Sequence, residues 1–163
     1  MRALHCLTLA IAVLLAGCSS APKPHRSSTK PMPTQGVSRL SPEQADDIAI
    51  HAMGLVGTPY RYGGNTPESG FDCSGLIGYV YKSRAGVAPP RTVSQLNHFG
   101  APISLNELRS GDLVVFGRGN PTHAGIYVGD GRFVHAPSSG GTVRLDSLNS
   151  TYWSKQYTVY RRF

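Results

Sequence analysis

Acidic residues are scarce in this 163-residue chain: nine Asp and Glu stand against sixteen Lys and Arg, leaving a formal net charge of +7. The excess is spread along the chain, and no basic helix or aromatic-basic ladder stands out, so a nucleic-acid partner is disfavoured. Attraction to an anionic polymer or to anionic lipid head groups fits the same charge. Long apolar runs are missing as well. The longest, Leu7 to Ala16, is too short to span a bilayer, and behind Arg2 it has the form of a signal-peptide core. There is no internal repeat, no Walker loop and no dinucleotide fingerprint. Cysteine is rare, with three in all: Cys6, Cys18 and Cys73. One cysteine with scattered histidines makes no zinc pattern, so neither metal nor cofactor is expected. The length suits one compact domain plus a leader, and not two domains.

What is present begins with Leu15-Ala16-Gly17-Cys18, small residues directly before a cysteine, which resembles the lipobox of bacterial lipoproteins. The expectation is a signal peptide over 1–17 and a lipidated Cys18. Three acyl chains on one residue, at about 0.8 kcal/mol per buried CH₂, anchor firmly. Ser19 after that cysteine implies, among such lipoproteins, the periplasmic face of the outer membrane. Residues 18–40 carry Ser, Pro, Lys and Thr with almost no large apolar side chain, so they read as a tether. Pro22, Pro24, Pro31 and Pro33 stiffen it, and its reach is roughly 60 Å. The domain then spans 41–163 and keeps a single cysteine, Cys73, which cannot form a disulfide within its own domain.

Ser41, Pro42 and Gln44 form a capping box that opens a helix, with Ile48, Ile50, Ala52, Met53, Leu55 and Val56 as its apolar side and Gly57 and Pro59 as its stop. A second helix is expected from Cys73 to about Arg84, capped by Asp72, striped by Leu76, Ile77, Val80 and Tyr81, and stopped by Gly86. After Gly111 the period changes to strands: 113–116, 123–128, 132–135, 142–145 and 157–161, separated by turns such as Gly129-Asp130-Gly131. Helices first and strands after imply α+β with an antiparallel sheet.

A cysteine at a helix N-terminus feels unpaired N–H groups and the positive end of the dipole, which lowers its pKa and favours the nucleophilic thiolate. A histidine beside it completes the activation and later donates a proton to the leaving amine. Antiparallel pairing across Gly129-Asp130-Gly131 brings His123 and His135 to the same end of one hairpin, so that His135 could orient His123. His51 and His98 read as surface or packing residues, and His25 lies in the tether.

Gly70-Phe71-Asp72-Cys73-Ser74-Gly75-Leu76, His123-Ala124-Gly125-Ile126-Tyr127-Val128-Gly129 and Phe133-Val134-His135-Ala136 resemble the three catalytic blocks of the NlpC family of papain-like cell-wall cysteine peptidases. Tyr60-Arg61-Tyr62-Gly63-Gly64, Pro90-Arg91-Thr92 with Gln95, and Gly111-Asp112-Leu113 extend the likeness from about Ala45 to Phe163, in the family's order. The resemblance implies a circularly permuted papain-like fold, its nucleophile on a helix N-terminus packed on the sheet. It also implies roles: Cys73 as nucleophile, His123 as general base and acid, His135 as orienter, and Tyr60 at the oxyanion with Tyr62 as the lesser claimant. Asp72 and Ser74 match positions that bind a free substrate amine in some members, and Arg91 and Gln95 would line the cleft. The implied substrates are peptidoglycan stem peptides or their cross-links; oligomeric state and any protein regulator stay open. The alternatives are a non-catalytic wall-binding lipoprotein and an acyltransferase on the same fold.

Overall fold

The computed structural model describes residues 38–138 and 141–163. The expected leader and most of the expected tether, with Cys18 and His25, lie outside the described residues. Helix α1 (Pro42–Gly54) starts at the expected capping box: Ser41 Oγ accepts from Gln44 N at 3.2 Å and Gln44 Oε1 accepts from Ser41 N at 3.0 Å. It buries Ala45, Ile48, Ala49 and Ala52, but Ile50 is 62% exposed, and Met53 and Val56 also face solvent. The apolar side is therefore narrower than the composition suggested, because Ile50 lies about 200° around the helix from Ile48. The helix ends at Gly54, ahead of the expected Gly57, when Leu55 N–H turns back onto the Ala52 and Met53 carbonyls. Packing also begins before Ser41: Leu40 is buried, and Arg39 N and Ser38 Oγ both donate to the Phe163 carbonyl.

A short ribbon of β1 (Asn65–Thr66) and β2 (Gly70–Phe71) leads into helix α2 (Cys73–Ala85). Asp72 caps it and Gly86 ends it in the left-handed conformation at φ +67°, both as the sequence requires. One further turn, α3 (Val93–Leu96), precedes strands β3 (Ala101–Ile103), β4 (Leu113–Phe116), β5 (His123–Gly129), β6 (Arg132–His135), β7 (Arg144–Ser147) and β8 (Thr158–Arg162). The six form one antiparallel sheet in the order β3-β8-β4-β5-β6-β7. Strand β7 begins two residues later than expected and continues to Ser147; Thr142 instead makes an isolated bridge to Pro59.

Both faces of the sheet are covered, which is why β4 is apolar throughout. Leu113 and Val115 join the helix-side core with Ile48, Leu76, Ile77, Val80, Ala124 and Ile126, whereas Val114 and Phe116 meet Phe133 and Trp153 on the other side. Pairing of β5 with β6 is interrupted: Ile126 faces Val134 and Tyr127 faces Phe133, yet Gly129 faces Arg132, so Val128 bulges. A buried fork ties β8 to the start of β4, with Arg162 Nε and Nη2 donating to the two Asp112 oxygens at 2.9 and 2.7 Å. Arg162 also donates to the Glu107 carbonyl, and the buried Tyr81 hydroxyl donates to that of Gly111.

Candidate active site

Cys73 is the first residue of α2 and is half-buried. Its helix end is clamped by Asp72, whose Oδ1 accepts from Gly75 N at 2.6 Å and from Ser74 Oγ at 2.9 Å, and whose Oδ2 accepts from Gly63 N at 2.9 Å. Arg91 completes the clamp, its Nη1 3.2 Å from Asp72 Oδ1 and its Nη2 3.3 Å from the Gly63 carbonyl oxygen. Glycine is required here for close approach. A Cβ on Gly75 would stand 1.9 Å from the Gly64 carbonyl oxygen and 2.7 Å from Arg91 Nη1. The turn 61–64 is thereby pressed onto the first turn of α2, with Tyr60 just before it.

On the sheet side, His123 opens β5 and His135 closes β6. His123 Nε2 and His135 Nδ1 are 2.8 Å apart, and His135 Nε2 is 3.0 Å from Asp146 Oδ2. The carboxylate accepts only, so His135 carries its proton on Nε2 and its Nδ1 accepts from His123 Nε2–H. His123 Nδ1 is then the atom with the lone pair, which is what a base for the Cys73 thiol needs. Asp146 is itself fixed by Trp153 Nε1 at 2.7 Å and by Arg144 Nη2 at 2.8 Å and Nε at 3.2 Å. Trp153 stacks on His123 with ring centres 5.6 Å apart and meets His135 edge-on at 5.2 Å.

The electrostatics keep the two imidazoles and the Cys73 thiol neutral and Asp146 ionised. Burial, then the charges of His135 and Arg144, push His123 down to about 3. Burial likewise brings His135 down to about 4, the Asp146 carboxylate opposing it. Burial also disfavours ionisation of Asp146, but hydrogen bonds from Trp153, Arg144 and His135 outweigh it and hold the carboxyl below its ordinary range. The Cys73 thiol moves up, opposite to the expectation from its helix position: burial and the neighbouring Asp72 carboxylate outweigh the N–H groups of Ala124, Ser74 and Cys73 that favour the thiolate. The Ala124 N–H facing the thiol places Cys73 beside His123, the preceding residue. Burial, followed by the charges of Asp72 and Cys73, raises the Tyr60 hydroxyl, so it also lies within reach of the Cys73 thiol's field.

Not every expected residue joins this group. Ser74 is buried, its hydroxyl oxygen 2.9 Å from Asp72 Oδ1 and 2.8 Å from the Arg91 carbonyl oxygen, with one proton shared between the two acceptors. Gln95 is exposed on α3, hydrogen-bonded to Thr92, and borders a separate cavity beside Phe99 and Phe163. Tyr62 is 90% exposed, whereas His51 stacks on Tyr79 and meets Arg84 at 2.8 Å. Asp146, Trp153 and Arg144 were missed. The available signals were an aspartate at the end of an expected strand and the chain's only tryptophan.

Comparison with known proteins gives the same answer from outside. The family model described as NlpC/P60 family matches residues 57–162. The murein DD-endopeptidase MepH of Escherichia coli K12 is 42% identical over 126 residues, covering 74% of this chain and 46% of that protein, so the chain spans about half of MepH's length. The probable endopeptidase NlpC of Escherichia coli K12 is 39% identical over 168 residues, covering 96% of this chain and 97% of that one. The crystal structure of the NlpC/p60 domain of the peptidoglycan hydrolase SagA superposes with a TM-score of 0.63 at 33% identity, covering 71% of this chain and 96% of that one. The α+β fold is thus the circularly permuted papain-like one, and the chain belongs to the NlpC/P60 family.

Proposed function

We propose that this chain is a peptidoglycan endopeptidase that hydrolyses an amide bond in cell-wall stem peptides or their cross-links, with Cys73 as nucleophile. The observation that carries the reading is the relay Asp146–His135–His123, which leaves an unprotonated Nδ1 on the imidazole beside the start of α2. His123 Nδ1 takes the Cys73 proton as Sγ attacks the carbonyl carbon. Backbone N–H groups at the start of α2 and the Tyr60 hydroxyl face the oxyanion of the tetrahedral intermediate. His123 then protonates the leaving amine, and a thioester remains on Cys73. Water, deprotonated by the same imidazole, attacks the thioester and releases the acid and the thiol. His135 acts as orienter, and Arg91 holds the Asp72 cap. Asp72 and Ser74 are engaged by Arg91, Gly63 and Gly75 rather than open to a substrate amine.

Residues 1–17 are the signal peptide in this reading, 18–40 the lipidated cysteine and tether, and 41–163 the peptidase domain. Cys18 anchors the enzyme at the periplasmic face of the outer membrane. Two curated relatives named as endopeptidases support the activity, and one of them is named for murein. The test is mass spectrometry of muropeptides incubated with wild type beside Cys73→Ala. New fragments made only by wild type, their masses naming the bond, are expected. Intact monomeric and cross-linked muropeptides after incubation with folded wild type would favour a wall-binding role.

A further inference from the structure

Beside His123 lies a cavity of about 480 Å³ that the reaction as described does not use, walled by Arg144, Tyr152, Trp153, Thr122 and Gln156. Arg144 is its one charged side chain among the described residues. The Arg144 side chain is 47% exposed, and its Nε and Nη2 are both spent on Asp146, which holds the guanidinium in place. Among the described residues Nη1 has no protein partner, and Asp146 itself does not border the cavity. An arginine oriented from behind, flanked by two aromatic rings and neutral hydrogen-bonding groups, suits a planar carboxylate.

Position says which carboxylate. Cys73, Tyr60, Asp72, Ser74 and Arg91 do not border this cavity, whereas His123 does. Since His123 must deliver its proton to the departing nitrogen, the space against its ring belongs to the leaving-group half of the substrate, and the Tyr60–Arg91 side belongs to the acyl half. Resting on the peptidase reading above, we infer that Arg144 binds a free carboxylate on the same carbon as the amine that is released. A residue inside an ordinary linear peptide has no such group, since its carboxyl is tied up in the next amide. A diamino dicarboxylic acid cross-linked through its side-chain amine has one on the amine-bearing carbon, and so does the last residue of a stem peptide. The Arg144 cavity therefore selects amides of either kind over internal linear ones.

Trp153 is the chain's only tryptophan, so its fluorescence reports on this cavity without turnover. Full-length Cys73→Ala is titrated with three ligands: the free diamino dicarboxylic acid, the same compound amidated at both carboxylates, and D-alanine as the source from a stem end. The expected result is at least about tenfold tighter binding of the free acid than of its amide, a preference that falls to within about twofold in Cys73→Ala/Arg144→Gln. Binding of the diamino acid but not D-alanine assigns the cavity to cross-links, and the reverse assigns it to stem ends. Equal affinity for acid and amide, or no fluorescence change with any of the three, overturns the inference. Muropeptide cleavage by wild type is scored separately, so failure of the cavity and failure of the peptidase reading give different results. In turnover, the acid-to-amide ratio of kcat/KM collapses in Arg144→Gln chiefly through KM, whatever that substitution does to the rate common to both substrates.

Discussion

Asp146 Oδ2 lies 3.0 Å from the Nε2 of His135, a residue that is fully buried, and so fixes the tautomer of a side chain that never meets solvent. Replacing Asp146 with Ala removes the acceptor for both His135 Nε2–H and Trp153 Nε1–H. One buried donor left unpaired costs about 1–3 kcal/mol. Urea unfolding of Asp146→Ala is expected to show a loss of that size, with kcat reduced about tenfold or more. A fully active variant would mean that His135 keeps its tautomer without the carboxylate. Asp146→Asn, which retains an acceptor oxygen, should recover part of both losses.

The raised thiol and the lowered imidazole imply that the free enzyme rests as a neutral pair rather than as thiolate and imidazolium. Alkylation of Cys73 by iodoacetamide, with Cys73→Ala as the blank, should therefore accelerate steadily with pH through the ordinary thiol range and beyond. A plateau from about pH 5 to 7 would reveal a preformed ion pair of the kind seen when a thiol is strongly acidified.

Stability should fall with acid well before the carboxylates titrate. Unfolded imidazoles take up protons near about pH 6.5, but in the folded protein His123 holds off to about 3 and His135 to about 4. Between those limits the unfolded state binds more protons, so stability rises with pH through the window, is complete above it and is lost on acidification. Each histidine contributes up to about 1.4 kcal/mol per pH unit. His51, lowered by burial and by Arg84, acts in the same direction. Urea midpoints that stay flat from about pH 7 to 4 would contradict this.

Two glycines of α2 should respond oppositely to alanine. At Gly75 the new methyl meets the Gly64 carbonyl, whereas at Gly78 there is nothing within 4 Å. Gly78→Ala is expected to stabilise by up to about 1 kcal/mol through helix propensity. Gly75→Ala should lower Tm and abolish turnover by pushing the turn 61–64 off the first turn of α2 at Cys73. Thermal melts of the two variants side by side check both signs.

Arg162 and Asp112 form a buried pair, their side chains 5% and 4% exposed. Arg162→Leu strands the carboxylate and should cost about 3–5 kcal/mol. Calorimetry measures it; a loss below about 1 kcal/mol would mean that the pair is dispensable.

How much of this was legible in the sequence depends on whether a signal is local. The Ser41 capping box, Asp72 before Cys73, and Gly86 after α2 are one-turn features, and each stands where the residues require. Strand β4 was legible because four consecutive apolar residues need cover on both sides. Strand β3 was not, since Ala101-Pro102-Ile103 has neither alternation nor length and is held by its pairing with β8. Asp146 escaped because its role depends on register: His135 pairs with Arg144, so Asp146 is the diagonal neighbour on the same face. Aspartate is also depleted in strands, which made Leu145 look like the natural end of β7. The direction of the Cys73 shift escaped for a similar reason, because the weight of burial and of Asp72 is set by tertiary packing and not by the helix start alone.

The bulge at Val128 has a consequence for inheritance as well as for shape. With unbroken pairing outward from Gly129 and Arg132, His135 would stand opposite Ile126, and its ring would emerge on the side of the sheet away from His123. The one unpaired residue advances β5 by half a pleat, bringing His135 opposite Gly125, where the missing side chain leaves room: a Cβ there would lie 2.7 Å from the Phe133 ring and 3.1 Å from His135 Cβ. It acts as a phase shifter between His123 and His135. A lineage that deleted Val128 would keep Cys73, His123 and His135 in its genome and still lose their alignment.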